Sequence, residues 1–395
     1  MATTSTRISD AEKQAVWDAY YARRPVRTPV LLATNSRVVH ASPEWNPEGY
    51  TFEQAFHDPA IHLQIELRHA LYRRRVLGLY SDSPSELPGT WEVGVFLHNV
   101  YEAAPFGGAI QFLDGQTPTS EPPAFADDDR KAALFDVDIE HPLDSPYWQG
   151  RLSLWRDMQR IAKDMKFEGR PVRVAPLMAM GTDGPVTAGC NLRGAAFLMD
   201  LLCEPEYAQR VMRFAVEAMR HRRRAFAELH GDKLPRATGA GFADDSCAML
   251  GVEQWRELVK PHHQRILDIL RTDGANTPGP RCGVHMCGDA THLFPHMARE
   301  LGVNSFDTGF PVDHRALRDA LGPDVEILGG PEIQCLKDAA PEQIFERTKS
   351  ILQSGVLRGG RFVLREGNNL PPGVPDANLA AMYDAALAFG RYDRQ

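Results

Sequence analysis

The feature that most narrows the folds open to this chain is an alternation. Eight short apolar runs recur along it: TPVLLAT (28–34), RVLGLYS (75–81), PVRVAPLM (171–178), RATGAGFA (236–243), RCGVHMC (281–287), VNSFD (303–307), VEILGG (325–330) and RFVLRE (361–366). Most are separated by one-sided helical patterns, such as 205–231, 252–274 and 341–355. Strands alternating with amphipathic helices predict a parallel sheet covered by helices, and eight of them predict an α/β chain forming a single (β/α)₈ TIM barrel. A doubly wound open sheet is the alternative, but no G-x-G-x-x-G follows a strand. The expected organisation is an N-terminal helical extension over 1–27 and a barrel over 28–395, with a long insertion at about 90–150, after the second strand. Within that insertion, 90–115 reads as a decorating hairpin and the Pro- and acid-rich 115–147 as a surface excursion.

Hydrophobic residues make up 43% of the 395, enough for a large core, and the formal net charge is −8. That mild acidity argues against a nucleic-acid binder. The polar N-terminus lacks a signal-peptide core and no run is long enough to span a bilayer, so a cytoplasmic protein is expected. The six cysteines are not spaced as a disulfide framework. Cys190, Cys203, Cys247 and Cys282 read as small buried hydrophobes, and His262, His263, His292 and His296 as structural or surface residues. The basic runs 73–75 and 220–224 read as solvated helix faces.

Chemistry in such a barrel gathers at the carboxyl ends of the strands. There the sequence supplies Asp244 and Asp245 after the fourth strand, His285 and Cys287 on the fifth, and Asp307 on the sixth. Glu332 and Cys335 follow the seventh strand, and Glu366, Asn368 and Asn369 the eighth. Strand side chains alternate, so His285 and Cys287 share one face while Val284 and Met286 take the other. An imidazole and a thiolate converging at the barrel mouth make half of a Zn²⁺ site. Cys335 is the leading third ligand, with Asp307 and Glu366 as oxygen alternatives; the same pair without metal would simply line a pocket. Asp244 and Glu366 are expected to orient substrate or shuttle a proton, and Asp245 and Asn368 to contact it.

Five stretches, in order, carry a family resemblance: GPVTAGCNLRG (184–194), FADDSCAMLGVEQWRELVKPHHQRIL (242–267), HMCGDATHLFPHMARELGVNSFD (285–307), LGGPEIQCLKDAAPEQIFE (328–346) and GNNLPPGVPDANLAAMYDAA (367–386). They span about half the chain, and they resemble the uroporphyrinogen decarboxylase superfamily, whose fold is a (β/α)₈ barrel. The arginine-rich motif of the decarboxylases proper is replaced by LLATNSR (31–37), and their late His by GNNL (367–370). The resemblance is closer to the corrinoid-linked zinc methyltransferases, which carry H-x-C at a strand end. It implies methyl transfer between a corrinoid on a partner protein and a small molecule, with zinc activating a thiol as thiolate, and a possible homodimer. In those relatives a later Cys lies where this chain has Asn368. Two rivals stand beside this reading: a metal-free decarboxylase of a small or tetrapyrrole-like carboxylate, using Asp244 or Asp245 to stabilise a cation, and a barrel that binds a ligand without chemistry.

Overall fold

The computed structural model describes residues 8–231, 239–272 and 281–392. Eight strands build the barrel: β1 (Val30–Leu31), β2 (Trp91–Val93), β3 (Arg170–Val174), β4 (Gly239–Ala243), β5 (Arg281–Met286), β6 (Ser305–Thr308), β7 (Glu326–Gly329) and β8 (Phe362–Arg365). Six form one parallel sheet in the order β1, β8, β7, β6, β5, β4, and β2 pairs in parallel with β3. The two remaining seams are spanned by loops. Asp82 N donates to Val30 O (2.8 Å) on one side, and Asp183 forms a parallel bridge to Ala243 on the other. Among the described residues the ladder is therefore not one closed ring, but the strand direction and order are those of a (β/α)₈ barrel.

Period-two alternation sorts the strand residues. Phe242, Val284, Met286, Phe306, Ile327, Phe362 and Leu364 face outward into the helix shell and are buried in the main core. Inside the barrel, Leu328 and Val363 pack with Leu31 and with Tyr20 and Trp17 of the helix Asp10–Tyr21. That helix is fixed by a capping box between Ser9 and Glu12, and it closes the amino end of the barrel. Tyr20 donates to Glu326 Oε2 (2.8 Å), and Glu326 also accepts from Ser305 Oγ (2.7 Å), Arg281 Nε (2.9 Å) and Arg361 Nη2 (3.0 Å). Burial works against the Glu326 carboxylate, but Arg281 and the hydrogen bonds overcome it and lower its pKa.

The predicted second strand is misplaced. Residues 75–81 are the end of the helix Pro59–Arg75 and a single turn, Leu77–Leu79. Leu63, Leu67 and Leu71 are buried four residues apart, so the helical stripe runs straight into the apolar run that mimics a strand. The true β2 is shorter and alternates, with Trp91 and Val93 buried around an exposed Glu92. The insertion therefore begins after residue 93. It holds a hairpin, Ile110–Gln111 against Thr119–Ser120, and several single turns. Residues 236–238 of the predicted fourth strand, and 273–274 of the predicted helix before β5, lie outside the described residues.

The basic run 220–224 also departs from expectation. Arg222 and Arg223 are buried on the helix Pro205–His230, and Arg222 makes a two-pronged ion pair with Glu102 of the insertion (2.7 and 2.8 Å). Cys203 is exposed rather than buried. No helix of the described residues is long and apolar enough to cross a membrane.

Candidate active site at the carboxyl end of the barrel

Strand β5 alternates as its sequence requires, with Cys282, Val284 and Met286 turned outward and His285 turned inward. Its register pairs Ala243 with His285 and His285 with Asp307. Residues just beyond β4 and at the end of β6 are thus carried to the two sides of His285 by backbone pairing alone.

His285 Nε2 lies 2.9 Å from Cys287 Sγ, and Asn368 Nδ2 approaches the same sulfur at 3.1 Å. Asp245 Oδ1 accepts from Cys287 N (2.6 Å) and sits 3.9 Å from His285 Nε2. The ligand-capable atoms of Asp245, His285 and Cys287 all fall within 4.8 Å of one another. Gly309 permits this crowding, since a β-carbon there would overlap the Cys287 carbonyl.

Behind His285 runs a line of alternating acidic and basic side chains. His285 Nδ1 is 3.0 Å from Asp307 Oδ2. That oxygen accepts from Arg365 Nη1 (2.7 Å), and Arg365 Nη2 donates to Glu366 Oε1 (2.8 Å). Burial disfavours the charged imidazole, yet Asp307 and Cys287 outweigh it and raise the His285 pKa to about 10. Glu366 is fully buried, and that burial raises its carboxyl to about 8 against the pull of Arg365. Its second oxygen accepts from Ala33 N (3.2 Å) at the end of β1.

Asp244 has no exposed surface. Oδ1 accepts from Thr187 N (2.8 Å) at the start of the helix Pro185–Arg193, and Oδ2 pairs with His263 Nε2 (2.7 Å). Trp255 Nε1, which only donates, bonds His263 Nδ1 (3.2 Å). That fixes the His263 proton on Nε2, pointing at Asp244. Gly184 leaves room for this carboxylate, because a β-carbon there would fall 2.3 Å from Asp244 Cγ. Asp244 thus ties two loops together, and its oxygens are taken.

The structure brings His285, Cys287, Asp245 and Asn368 into contact and sets Asp307 directly behind His285. Glu366 is reached through Arg365. Cys335 is outside both groups of metal-capable side chains found among the described residues, one of Asp245, His285 and Cys287 and the other of the buried Asp244, Cys247 and His263. It lies on the helix Ile333–Asp338, beyond β7, where burial and then Glu332 raise its thiol pKa. Sequence reasoning passed over Arg365, whose inward position follows from the alternation Phe362-out, Val363-in. It also passed over Asp183. Burial, then Glu102 and Asp244, raise that carboxyl to about 8, and its Oδ2 accepts from Asn191 Nδ2 (3.0 Å).

Comparisons with known proteins bear on the family and the fold. The family model described as Uroporphyrinogen decarboxylase (URO-D) matches residues 86–389. The methylcobamide:CoM methyltransferase MtbA of Methanosarcina acetivorans is 22% identical over 203 residues, 51% of this chain and 56% of that protein. The chain thus matches little more than half the length of that relative. A solved methyltransferase from Methanosarcina mazei has the same fold, with a TM-score of 0.63 at 16% identity over 97% of this chain and 99% of the other. The chain belongs to the uroporphyrinogen decarboxylase (URO-D) family.

Proposed function

We propose that this chain is a zinc-dependent methyltransferase that moves a methyl group between a corrinoid protein and a small molecule. The observation that carries the reading is the convergence of Cys287 Sγ, His285 Nε2 and Asp245 Oδ1 at the barrel mouth. Sulfur, imidazole and carboxylate are the donor types zinc takes, and three protein ligands leave one position open for substrate. Asp307 beside Nδ1 completes the carboxylate–histidine arrangement that holds an imidazole ligand in one tautomer. The names of the M. acetivorans relative and the M. mazei neighbour support methyl transfer over decarboxylation. The buried, fully bonded Asp244 gives little support to a decarboxylase that uses it against a cation.

In this reading Asp245, His285 and Cys287 hold the ion, in place of the set that includes Cys335. Bound zinc supplies a thiolate nucleophile at neutral pH by lowering the pKa of a coordinated thiol. The chain's own groups do the rest. Asp307, 3.0 Å from His285 Nδ1, would favour a proton on that nitrogen when Nε2 gives up its own to hold the ion. Arg365 donates to Asp307 and holds it in place. Asn368 donates to the Cys287 sulfur and holds its rotamer. The corrinoid arrives on a partner, and the acceptor is a small thiol.

Zinc content of protein purified without chelators tests this. About one equivalent is expected, falling below about a tenth in His285→Ala and Cys287→Ser. Transfer from free methylcobalamin to a small thiol should fall with it. Wild-type protein that stays metal-free after zinc is added back and the excess removed would sink the reading.

A further inference from the structure

Among the described residues, apolar side chains fill the interior of this barrel on one side. Leu31, Leu328, Val363 and the Tyr20 ring occupy the β7–β8–β1 side. Across from them the inward positions of β4 and β5 are Gly239, Gly241 and Gly283, and a cavity of about 260 Å³ lies there, bounded above by His285 and Asp307. Barrels of this kind usually fill such layers with branched side chains.

Gly283 is the informative residue. Its φ is not in the left-handed region, and a β-carbon added to it would meet nothing closer than 3.9 Å. Neither backbone conformation nor packing demands glycine, and glycine weakens a strand interior. What the missing side chain leaves is space, directly under His285 and one inward step down the strand, roughly 7 Å. Into that space rises the Arg281 side chain, whose Cζ is the atom 3.9 Å from the absent β-carbon. Arg281 is about half exposed, at 49% of its side chain, on the cavity it lines. Its Nε is paired with Glu326, but Glu326 is shared with Arg361. Arg281 is thus one of two guanidinium groups sharing a single carboxylate, and it is the cation that lines the lower part of the cavity among the described residues, with the Asp307 carboxylate at the opposite, upper end.

We infer that this hollow is a binding shaft for a slim organic anion, with the anion's carboxylate or similar oxyanion against Arg281, its other end beneath His285, and Gly283 setting the width. This deepens the methyl-transfer reading and rests on it only for what happens at the thiol end. The anion-binding half stands on the cavity and Arg281 alone, since a planar guanidinium matches a carboxylate with two parallel hydrogen bonds.

Propionate, which has no thiol, is therefore the probe, titrated into the full chain by calorimetry at an ionic strength held constant with chloride. Millimolar binding is expected, and about tenfold or greater weakening in both Gly283→Val and Arg281→Met. Gly283→Val should melt at or above the wild-type temperature, and Gly283→Ala is the smaller change that checks it. Protein stripped of metal should bind propionate as tightly as untreated protein. That result keeps the shaft even where zinc-dependent transfer fails. Wild type that binds propionate no better than chloride overturns the inference, as does undiminished binding in Gly283→Val. So does a Gly283→Ala protein that melts well below wild type, because the glycine would then be a packing requirement.

Discussion

Asn368 Nδ2 lies 3.1 Å from Cys287 Sγ. Two strand ends far apart in sequence meet at that contact, and the side chain at 368 stands where the resemblance places a further cysteine in corrinoid-linked relatives. An amide donor there stabilises sulfur without itself being a soft ligand. The site thus has two protein donors at the end of one strand, His285 on it and Cys287 just past it, a carboxylate beside them, and an amide where the resemblance places a second thiolate.

Replacing that amide with a thiol gives the first prediction. Asn368→Cys adds a donor beside Cys287 and should tighten zinc by about tenfold or more, since thiolates favour this ion. It should slow turnover, because a fourth protein ligand occupies the position the substrate needs. Competition with a colorimetric chelator measures the first effect and steady-state transfer the second. Unchanged zinc affinity would place position 368 outside the coordination sphere.

The identity of the third donor gives the second. Asp245→Ala should lose most of its zinc, while Cys335→Ser should keep the wild-type content, because Asp245 lies within 4.8 Å of the other two donors and Cys335 is not in that group among the described residues. Second-sphere loss is milder, and Asp307→Asn should weaken zinc by roughly 10- to 100-fold without abolishing it. Metal analysis after dialysis against a weak chelator ranks the three variants. The reverse order for Asp245 and Cys335 would restore the soft-ligand arrangement expected from sequence.

That reversal shows where sequence reasoning reaches and where it stops. His285 faces the barrel interior while Val284 and Met286 face the shell, because alternation along one strand is a local rule; Cys287, one residue past that strand, lies beside His285. The neighbours of His285 are set by register, which pairs it with Ala243 and Asp307 through long-range ladders. Cys335 was favoured for its chemistry, but six residues past β7 the chain has turned into a helix, and alternation says nothing there. The misplaced second strand has the same root. An apolar run at a helix end, 75–81, outweighed the three-residue alternation of Trp91–Val93. Arg222 evaded the reading because its partner Glu102 is 120 positions away.

Glu366 supports a third prediction, on pH. Its carboxyl is raised from 4.5 to about 8, by burial more than Arg365 lowers it. The native state then holds a proton that the unfolded chain releases, so this group's contribution to stability is complete below pH 4.5 and is lost as pH rises to about 8. Glu366→Gln keeps the shape and removes the titration. It should flatten the fall in melting temperature between those limits and leave the variant at least as stable as wild type at pH 8.5. A variant whose melting curve against pH has the wild-type slope would show that this carboxyl stays ionised in the fold.

Asp244 supplies the last. Its two oxygens take a proton each from Thr187 N and His263 Nε2, and Trp255 fixes which His263 nitrogen carries hydrogen. In Asp244→Asn one oxygen can still serve Thr187, but an NH₂ group then faces the His263 N–H. Moving the His263 proton to Nδ1 relieves that clash and creates another, against Trp255 Nε1. Either tautomer leaves one buried donor without an acceptor, which costs about 1–3 kcal/mol. Urea unfolding should register that loss. Zinc content should fall far less than in Asp245→Ala, because Asp244 acts on the site only by holding the loop that carries its neighbour. A variant as stable as wild type but inactive would instead make Asp244 a group that meets substrate, and the site would have to open to water in a way its complete burial here does not allow.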